Sequence, residues 1–273
     1  LLVALVALWL QRKPIAQSYL DDYLTQKGVA AKYEIKDVGT KSQRLENIVL
    51  GDPADPDLTA DWAEVDVALL SGGTVRAVRA GGVRAKAGFA NGKFSLGQID
   101  KLLPAPTGDP FSFPDIDLSL SDAGVILDTG QGVVALGVSG KGNLASDFGG
   151  QIVARSASLG MPDCSALGVE LAGSIRIEAR KPMFKGPIKA GQSACAGAKL
   201  LNVSGAMDVT GNEQFSQWSG NAALSALQVR YGENRVARVA LNSDFSGNAD
   251  LTRATYQADL TDFASPPASA AVL

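Results

Sequence analysis

The chain has 273 residues, of which 46% are hydrophobic, and a formal net charge of −3 from 25 basic and 28 acidic side chains. This hydrophobic content is sufficient for a folded domain, and the lack of excess positive charge argues against a nucleic-acid partner. The sequence contains no histidine, which excludes Ser-His-Asp and Cys-His catalytic systems and zinc sites with histidine ligands.

The chain begins with ten consecutive apolar residues, LLVALVALWL, followed by Gln11, Arg12 and Lys13. Such a run is about half the length that an α-helix needs to cross a bilayer. Since no small-residue cleavage site follows it, we expect residues 1–13 to be the C-terminal part of a transmembrane anchor. A remnant of a signal peptide and a buried helix of a soluble protein are the alternatives.

A short amphipathic helix is predicted at residues 14–30. Apolar residues occur there at helical spacing, and Lys27-Gly28 is a typical C-terminal stop. The apolar positions are Ile15, Tyr19, Leu20, Tyr23 and Leu24.

From Lys32 to near the end, hydrophobic and polar residues alternate with the period of two that is typical of half-buried β-strands. Turn signals separate the strands, among them Gly81-Gly82, Asp128-Thr129-Gly130, Gly140-Lys141-Gly142 and Tyr231-Gly232-Glu233-Asn234. One further helical pattern, Gln98 to Leu103, is ended by Pro104. We therefore predict a mainly β domain at residues 31–264, built as a long antiparallel sheet.

An aromatic-x-Gly motif occurs several times in the second half of the chain. Its copies begin at Phe148, Phe184, Trp218 and Phe245. We expect each copy to begin a strand after a polar turn, so that one hairpin is added per repeat.

Side-chain size leaves two interpretations of this sheet. Alanine, glycine and valine fill many inward positions, and aromatic residues make up only 6% of the chain. A closed core of this length usually contains more bulk. The sheet is therefore either an ordinary filled core or a curled sheet with an open, partly unfilled apolar trough.

Cys164 and Cys195 are the only cysteines in the sequence. In a chain that is delivered to or across a membrane, an even number of cysteines favours a disulfide bond. Such a bond would place most of the chain outside the cytoplasm. Two unpaired thiols in a cytosolic protein are the alternative.

Several segments resemble, in the same order, the N-terminal part of AsmA-like proteins, most nearly those of the YdbH type. After the apolar run and the amphipathic helix, these segments are YEIKDVG, RLENIVLGDPADPDLTADWAEVDVALL and GGVRAKAGFANGKFSLGQIDKLLP. The resemblance covers residues 1–104 well. It covers the rest loosely, through the style of the strands and the Cys164/Cys195 pair.

The resemblance implies a single-pass bacterial inner-membrane protein with most of its chain in the periplasm. There, a long repeating β-groove carries phospholipids toward the outer membrane, with a partner protein at its distal end. Proteins of this group are several times longer, so the resemblance implies an N-terminal fragment in which residues 265–273 are a truncated end or a linker. It implies no enzymatic activity, cofactor or metal.

The predicted groove-lining residues are the inward apolar positions of the strands. They are Val65, Val67, Leu69, Ile116, Leu118, Leu120, Val134, Leu136, Val138, Ile175 and Ile177.

Three other functions remain open from the sequence. An envelope scaffold that assists outer-membrane protein assembly would have the same sheet without a lipid. Asp128-Thr129-Gly130 resembles the catalytic motif of aspartic proteases, which would require a homodimer here, although a hairpin turn explains it better. The acidic stretch GDPADPD could bind calcium, but its prolines are typical of a rigid loop.

Overall fold

The fold is given by a computed structural model that describes residues 17–18, 20–39, 42–68, 74–90, 93–102, 110–161, 163–248 and 254–264. The expected anchor at residues 1–13 and the chain end at 265–273 lie outside these residues. Among the helices that are described, none is long and apolar enough to cross a bilayer.

The predicted amphipathic helix is present as α1, which is helical at residues 17–18 and 20–26. It ends at Gly28, whose φ of 63° favours glycine. The N–H of Gly28 donates to Thr25 O and that of Val29 to Leu24 O, each at 3.0 Å. Leu24 and Val29 are both buried, and the helix ends at the predicted stop, Lys27-Gly28.

Strands make up most of the described chain, and they are numbered in chain order. They are β1 (Ala31–Val38), β2 (Ser42–Asp52), β3 (Asp55–Ala68), β4 (Thr74–Gly81), β5 (Arg84–Ala90), β6 (Lys93–Ser95), β7 (Asp117–Asp128), β8 (Val133–Asn143), β9 (Asp147–Met161), β10 (Cys164–Glu178), β11 (Lys181–Cys195), β12 (Ala198–Gly211), β13 (Gln217–Tyr231), β14 (Asn234–Asn248) and β15 (Ala254–Ala264). A 3₁₀-helix at Gly97–Leu102 lies between β6 and β7.

The predicted antiparallel arrangement holds for most strand pairs, in the order β1-β2-β3-β4-β7-β8-β9-β10-β11-β12-β13-β14-β15. The pair β4 and β7 is parallel. This difference arises because β5, β6 and the 3₁₀-helix form a crossover between these two strands, and a crossover can bring the chain back in the same direction. By its contacts the chain divides into two compact units. Unit 1 comprises Leu1–Leu127 and Gly137–Phe148, and unit 2 comprises Asp128–Leu136 and Gly149–Leu273.

Three of the predicted turns are confirmed and one is wrong. Gly82 lies between β4, which ends at Gly81, and β5, which begins at Arg84. Asp128-Thr129-Gly130 follows β7, and the Asp128 carboxylate accepts the N–H of Gly130 at 3.1 Å. The turn before Asn234 joins β13 to β14. Gly140-Lys141-Gly142, in contrast, lies inside β8. The turn comes later because the Asn143 side chain accepts the N–H of Ala145, at 2.9 Å.

The aromatic-x-Gly copies do not all begin strands. Phe148 and Trp218 lie at the second positions of β9 and β13, as expected. Phe245 lies close to the end of β14, so the expectation of one hairpin per repeat is wrong there.

Cys164 and Cys195 form the predicted disulfide bond. They lie directly opposite each other at the open end of the β10–β11 hairpin, with a Cα–Cα distance of 4.2 Å. The bond therefore fixes the register of this hairpin at the end that lies away from its turn.

Replacing both cysteines, Cys164→Ser with Cys195→Ser, should lower the free energy of unfolding by about 3–4 kcal/mol because the unfolded chain gains the entropy of an open loop. Denaturant unfolding followed by circular dichroism measures this loss. A reductant should cause the same loss in the wild type and none in the double variant. An unchanged unfolding midpoint in the variant would contradict the prediction.

Candidate functional site: an apolar face formed by successive strands

In unit 2, β10 to β14 place apolar side chains in rows that run across the sheet. Residues directly opposite each other on neighbouring strands point to the same face. One row consists of Ile175, Phe184, Val209, Gly220 and Phe245. A second row consists of Leu171, Ile188, Gly205, Leu224 and Leu241. We call this surface the apolar face.

The other side of the same strands is polar. On this polar side, at a position along the strands between those of the two apolar rows, one row consists of Ser174, Lys185, Asp208, Asn221 and Asp244. Lys185 and Asp208 in this row form an ion pair at 3.3 Å. The sheet of unit 2 therefore separates an apolar face from a hydrated, charged face.

The apolar face is only half-buried. Phe184, Leu224 and Leu241 have intermediate exposure, and the buried residues nearby are mostly alanines, such as Ala222 and Ala226. In the described part of the chain, no large side chain is fully buried. A two-layered core would enclose some of its large residues completely, so this burial pattern favours an uncovered face over a filled core.

Glycines on the apolar face let neighbouring strands approach closely. A Cβ added to Gly173, Gly186, Gly205 or Gly220 would come within less than 3.0 Å of a backbone oxygen of the adjacent strand. A Cβ at any of these four glycines would point to the apolar face. At these positions the neighbouring backbone therefore leans toward that face. Any side chain there would push the strands apart.

The aromatic-x-Gly motif acts across strands, because aromatic and glycine residues alternate between neighbours. Trp218 lies opposite Gly247, and Gly220 lies opposite Phe245. The rings of Trp218 and Phe245 are 5.4 Å apart between centroids. The two rings therefore pack against each other across the β13–β14 pair.

Unit 1 places three of the predicted groove-lining residues together. Val65 lies opposite Val78, which in turn lies opposite Leu118. Leu120 follows Leu118 on the same side of β7 and lies opposite Ala80. Val65, Leu118 and Leu120 are half-buried.

The remaining predicted residues are placed as follows. Val134, Leu136 and Val138 occupy alternate half-buried positions of β8, and Ile175 and Ile177 share the apolar face of β10. Ile116 is half-buried just before β7, and its carbonyl accepts the N–H of Leu144 at 3.0 Å. The Val67 side chain and the whole of Leu69 lie outside what the structure describes.

The sequence prediction missed the larger part of the apolar face. Phe184, Leu224 and Leu241 belong to it, although none was among the predicted groove-lining residues. The sequence pattern could have indicated two of them, since Phe184 begins an aromatic-x-Gly copy and Leu241 lies in a stretch of alternating apolar and polar residues. The pairing of these positions across strands could not be seen in a single sequence.

The opposite side of unit 1 carries a network of charges. Arg79 contacts Glu64 at 3.1 Å and Asp66 at 2.9 Å, and its hydrogen bond to Asp66 raises the pKa of the guanidinium. The hydrogen bond from Arg44 lowers the pKa of Glu46 below its ordinary value. Arg44 also lies over the ring of Trp62, at 4.8 Å from its centroid. Since these charges are paired with one another, they stabilise strand pairing and leave no isolated acid or base.

The acidic GDPADPD stretch is held by contacts within the protein. Asp52 accepts the N–H of Ala54 at 2.9 Å, Asp55 pairs with Lys86, and Asp57 accepts the N–H of Gln98 at 3.1 Å. Within the residues described, there is no group of three or more acidic or cysteine side chains that could hold a metal ion. This stretch therefore has the structure of a tight turn joining β2 to β3.

The chain was compared with known protein families, curated proteins and solved structures. The chain matches the YdbH-like family, described as intermembrane phospholipid transport protein YdbH, over residues 1–270. The chain belongs to this family. The YdbH-like family is described by lipid transport and not by a catalytic activity, and transport between membranes implies a location in the cell envelope. Neither the curated proteins nor the solved structures give a significant match.

Replacing Gly186 with alanine should lower the free energy of unfolding by about 2 kcal/mol because the new Cβ meets the backbone of β10. Thermal or denaturant unfolding measures this change. Gly149→Ala in β9 is a matched control, since a Cβ there meets nothing within 4 Å. Equal stability of the two variants would mean that the close approach of the strands at Gly186 does not exist in solution.

Proposed function

We propose that this chain is an inner-membrane-anchored periplasmic protein that carries phospholipids toward the outer membrane in a hydrophobic β-groove. The apolar face supplies the wall of this groove. The observation that carries the proposal is the continuous set of apolar side chains on β10 to β14, most of which stay partly exposed. Membership of a phospholipid transport family supports the same ligand class.

Acyl chains need such a surface because their exposure to water is costly. Each CH₂ group contributes about 0.8 kcal/mol to burial, so a lipid cannot cross an aqueous space at a useful rate without shelter. A single sheet with one apolar face provides that shelter and leaves the headgroup in solvent. No catalytic residue is required for this process.

The local geometry of unit 2 supports a concave wall. At Gly173, Gly186, Gly205 and Gly220 the neighbouring backbone leans toward the apolar face, which is the sense of bending that a groove requires. Because the strands would then cross the groove from side to side, their ends would form its two lips. The aromatic rings of Phe184, Trp218 and Phe245 would lie toward one of these lips.

The proposed acyl contacts are the apolar residues of both units. In unit 1 and β8 they include the predicted residues Val65, Ile116, Leu118, Leu120, Val134, Leu136 and Val138. In unit 2 the predicted Ile175 and Ile177 are joined by Phe184, Leu224 and Leu241.

The proposed topology depends on the apolar run and on the disulfide bond. Residues 1–13 would anchor the chain in the inner membrane, followed by α1. The Cys164–Cys195 bond is typical of an oxidising compartment, which supports a periplasmic position for the sheet. A partner at the distal end would receive the lipid.

Replacing Leu224 with aspartate should remove most of the phospholipid that co-purifies with the protein, because a charge on the apolar face opposes contact with acyl chains. Mass spectrometry of organic extracts, expressed per mole of protein, measures the bound lipid. Ala223→Asp is the matched control, since it adds the same charge at the neighbouring, exposed position on the polar face.

The control variant should keep its lipid. Equal lipid content in both variants would contradict the assignment of the apolar face, and a wild type without stoichiometric phospholipid would favour the scaffold function instead. In unit 1 and β8, Leu118→Asp combined with Leu136→Asp should also abolish lipid co-purification while the circular dichroism spectrum keeps its β signal.

A further inference from the structure

Three basic residues form an unpaired row near one end of the strands of unit 2. Lys199 on β12 lies directly opposite Arg230 on β13, which lies directly opposite Arg235 on β14. All three side chains are exposed. In the described part of the chain, no carboxylate forms an ion pair with any of them. We call these residues the basic row.

This arrangement is unfavourable for the sheet by itself. Like charges directly opposite each other on neighbouring strands destabilise the pairing. Elsewhere in unit 2, a directly opposite pair brings unlike charges together, as with Lys185 and Asp208 at 3.3 Å. The basic row therefore lacks the compensation that β11 and β12 have near their middle.

The other end of these strands differs in this respect. Arg176 contacts Glu178 at 3.5 Å, and Arg180 contacts Glu213 at 3.0 Å. The basic row lies at the end that carries the disulfide bond, where Cys195, Ala198 and Tyr231 lie in register, and it has no such carboxylate partner among the described residues.

The basic row adjoins apolar surface. Next to Arg230 and Arg235, Val229 and Val236 lie opposite each other and are half-buried. A shallow pocket of about 340 Å³ is lined by Gln228, Val229, Arg230, Arg235, Val236 and Ala237. Consecutive strand residues point to opposite faces, so the two valines lie behind the two arginines, and the pocket is lined by atoms of both pairs.

We infer that the basic row binds the phosphate of the transported lipid and selects headgroups that carry a net negative charge. This inference depends on the proposed function, in which the strand ends form the lips of the groove. Neighbouring strands are about 4.8 Å apart, so the row extends over roughly 10 Å, which is the scale of one headgroup. Guanidinium groups bind phosphate oxygens through paired hydrogen bonds. A zwitterionic headgroup brings its own ammonium group near the row and is held less tightly.

The test uses the whole chain, loaded from vesicles that contain phosphatidylglycerol and phosphatidylethanolamine in equal amounts. After re-isolation, mass spectrometry gives the ratio of the two bound lipids. We expect wild type to be enriched in phosphatidylglycerol by roughly threefold to tenfold, from a few partly screened charge contacts. The double variant Arg230→Gln with Arg235→Gln should bind less phosphatidylglycerol, so that its ratio of bound lipids falls near that of the vesicles.

The matched control removes two exposed cations at the other end of the strands, Arg176→Gln with Lys181→Gln, and should keep the wild-type ratio. The double variant of the basic row should also unfold at the same or a higher denaturant concentration, because a repulsive pair has been removed. This measurement separates a lost binding site from a damaged fold.

Each remaining outcome counts against a defined statement. If the lipid-loaded wild type shows no preference, or if the preference survives in the double variant, the basic row does not select the headgroup. The proposed function would remain intact. A wild type that carries no lipid overturns both. Equilibrium dialysis with inorganic phosphate should show no binding. If phosphate binds, is lost in the double variant and the lipid ratio is unchanged, the basic row binds free phosphate and not a lipid headgroup.

Discussion

Antiparallel pairing in register is the constraint on which the rest of unit 2 depends. Because opposite residues share a face, the alternation within each of five strands adds up to rows such as Leu171, Ile188, Gly205, Leu224 and Leu241. A slip of one residue in any strand would exchange its apolar and polar sides. The Cys164–Cys195 bond fixes the register of one hairpin of this set covalently.

A sheet with an uncovered apolar face must be stabilised without a second layer. Here the polar face contributes ion pairs, and the apolar face contributes close packing within the sheet itself. The rings of Trp218 and Phe245 pack against each other across β13 and β14, and at Gly186 and Gly220 the neighbouring strand lies too close for a Cβ. The same glycines let the backbone lean inward, which links the stability of the sheet to the shape proposed for lipid binding.

Charge is paired differently at different places within each unit. In unit 1 the network around Arg44, Glu64 and Arg79 is internally neutralised, and in unit 2 the pairs Arg176–Glu178 and Arg180–Glu213 are also satisfied. The basic row is different because its charges repel one another. The anionic headgroup proposed above would offset this repulsion.

The sequence by itself determined the class of this protein: alternation of period two specified strands, Lys27-Gly28 specified the end of α1, and two cysteines specified the disulfide bond, since each is a local or pairwise property. It also identified Ile175 and Ile177 as sharing one face. Only the tertiary structure decided the parallel pairing of β4 with β7, the position of Phe245 at the far end of a strand, and the alignment of Lys199, Arg230 and Arg235. These features depend on which residues of distant strands lie opposite each other, and a periodic pattern repeats along a strand without stating its register.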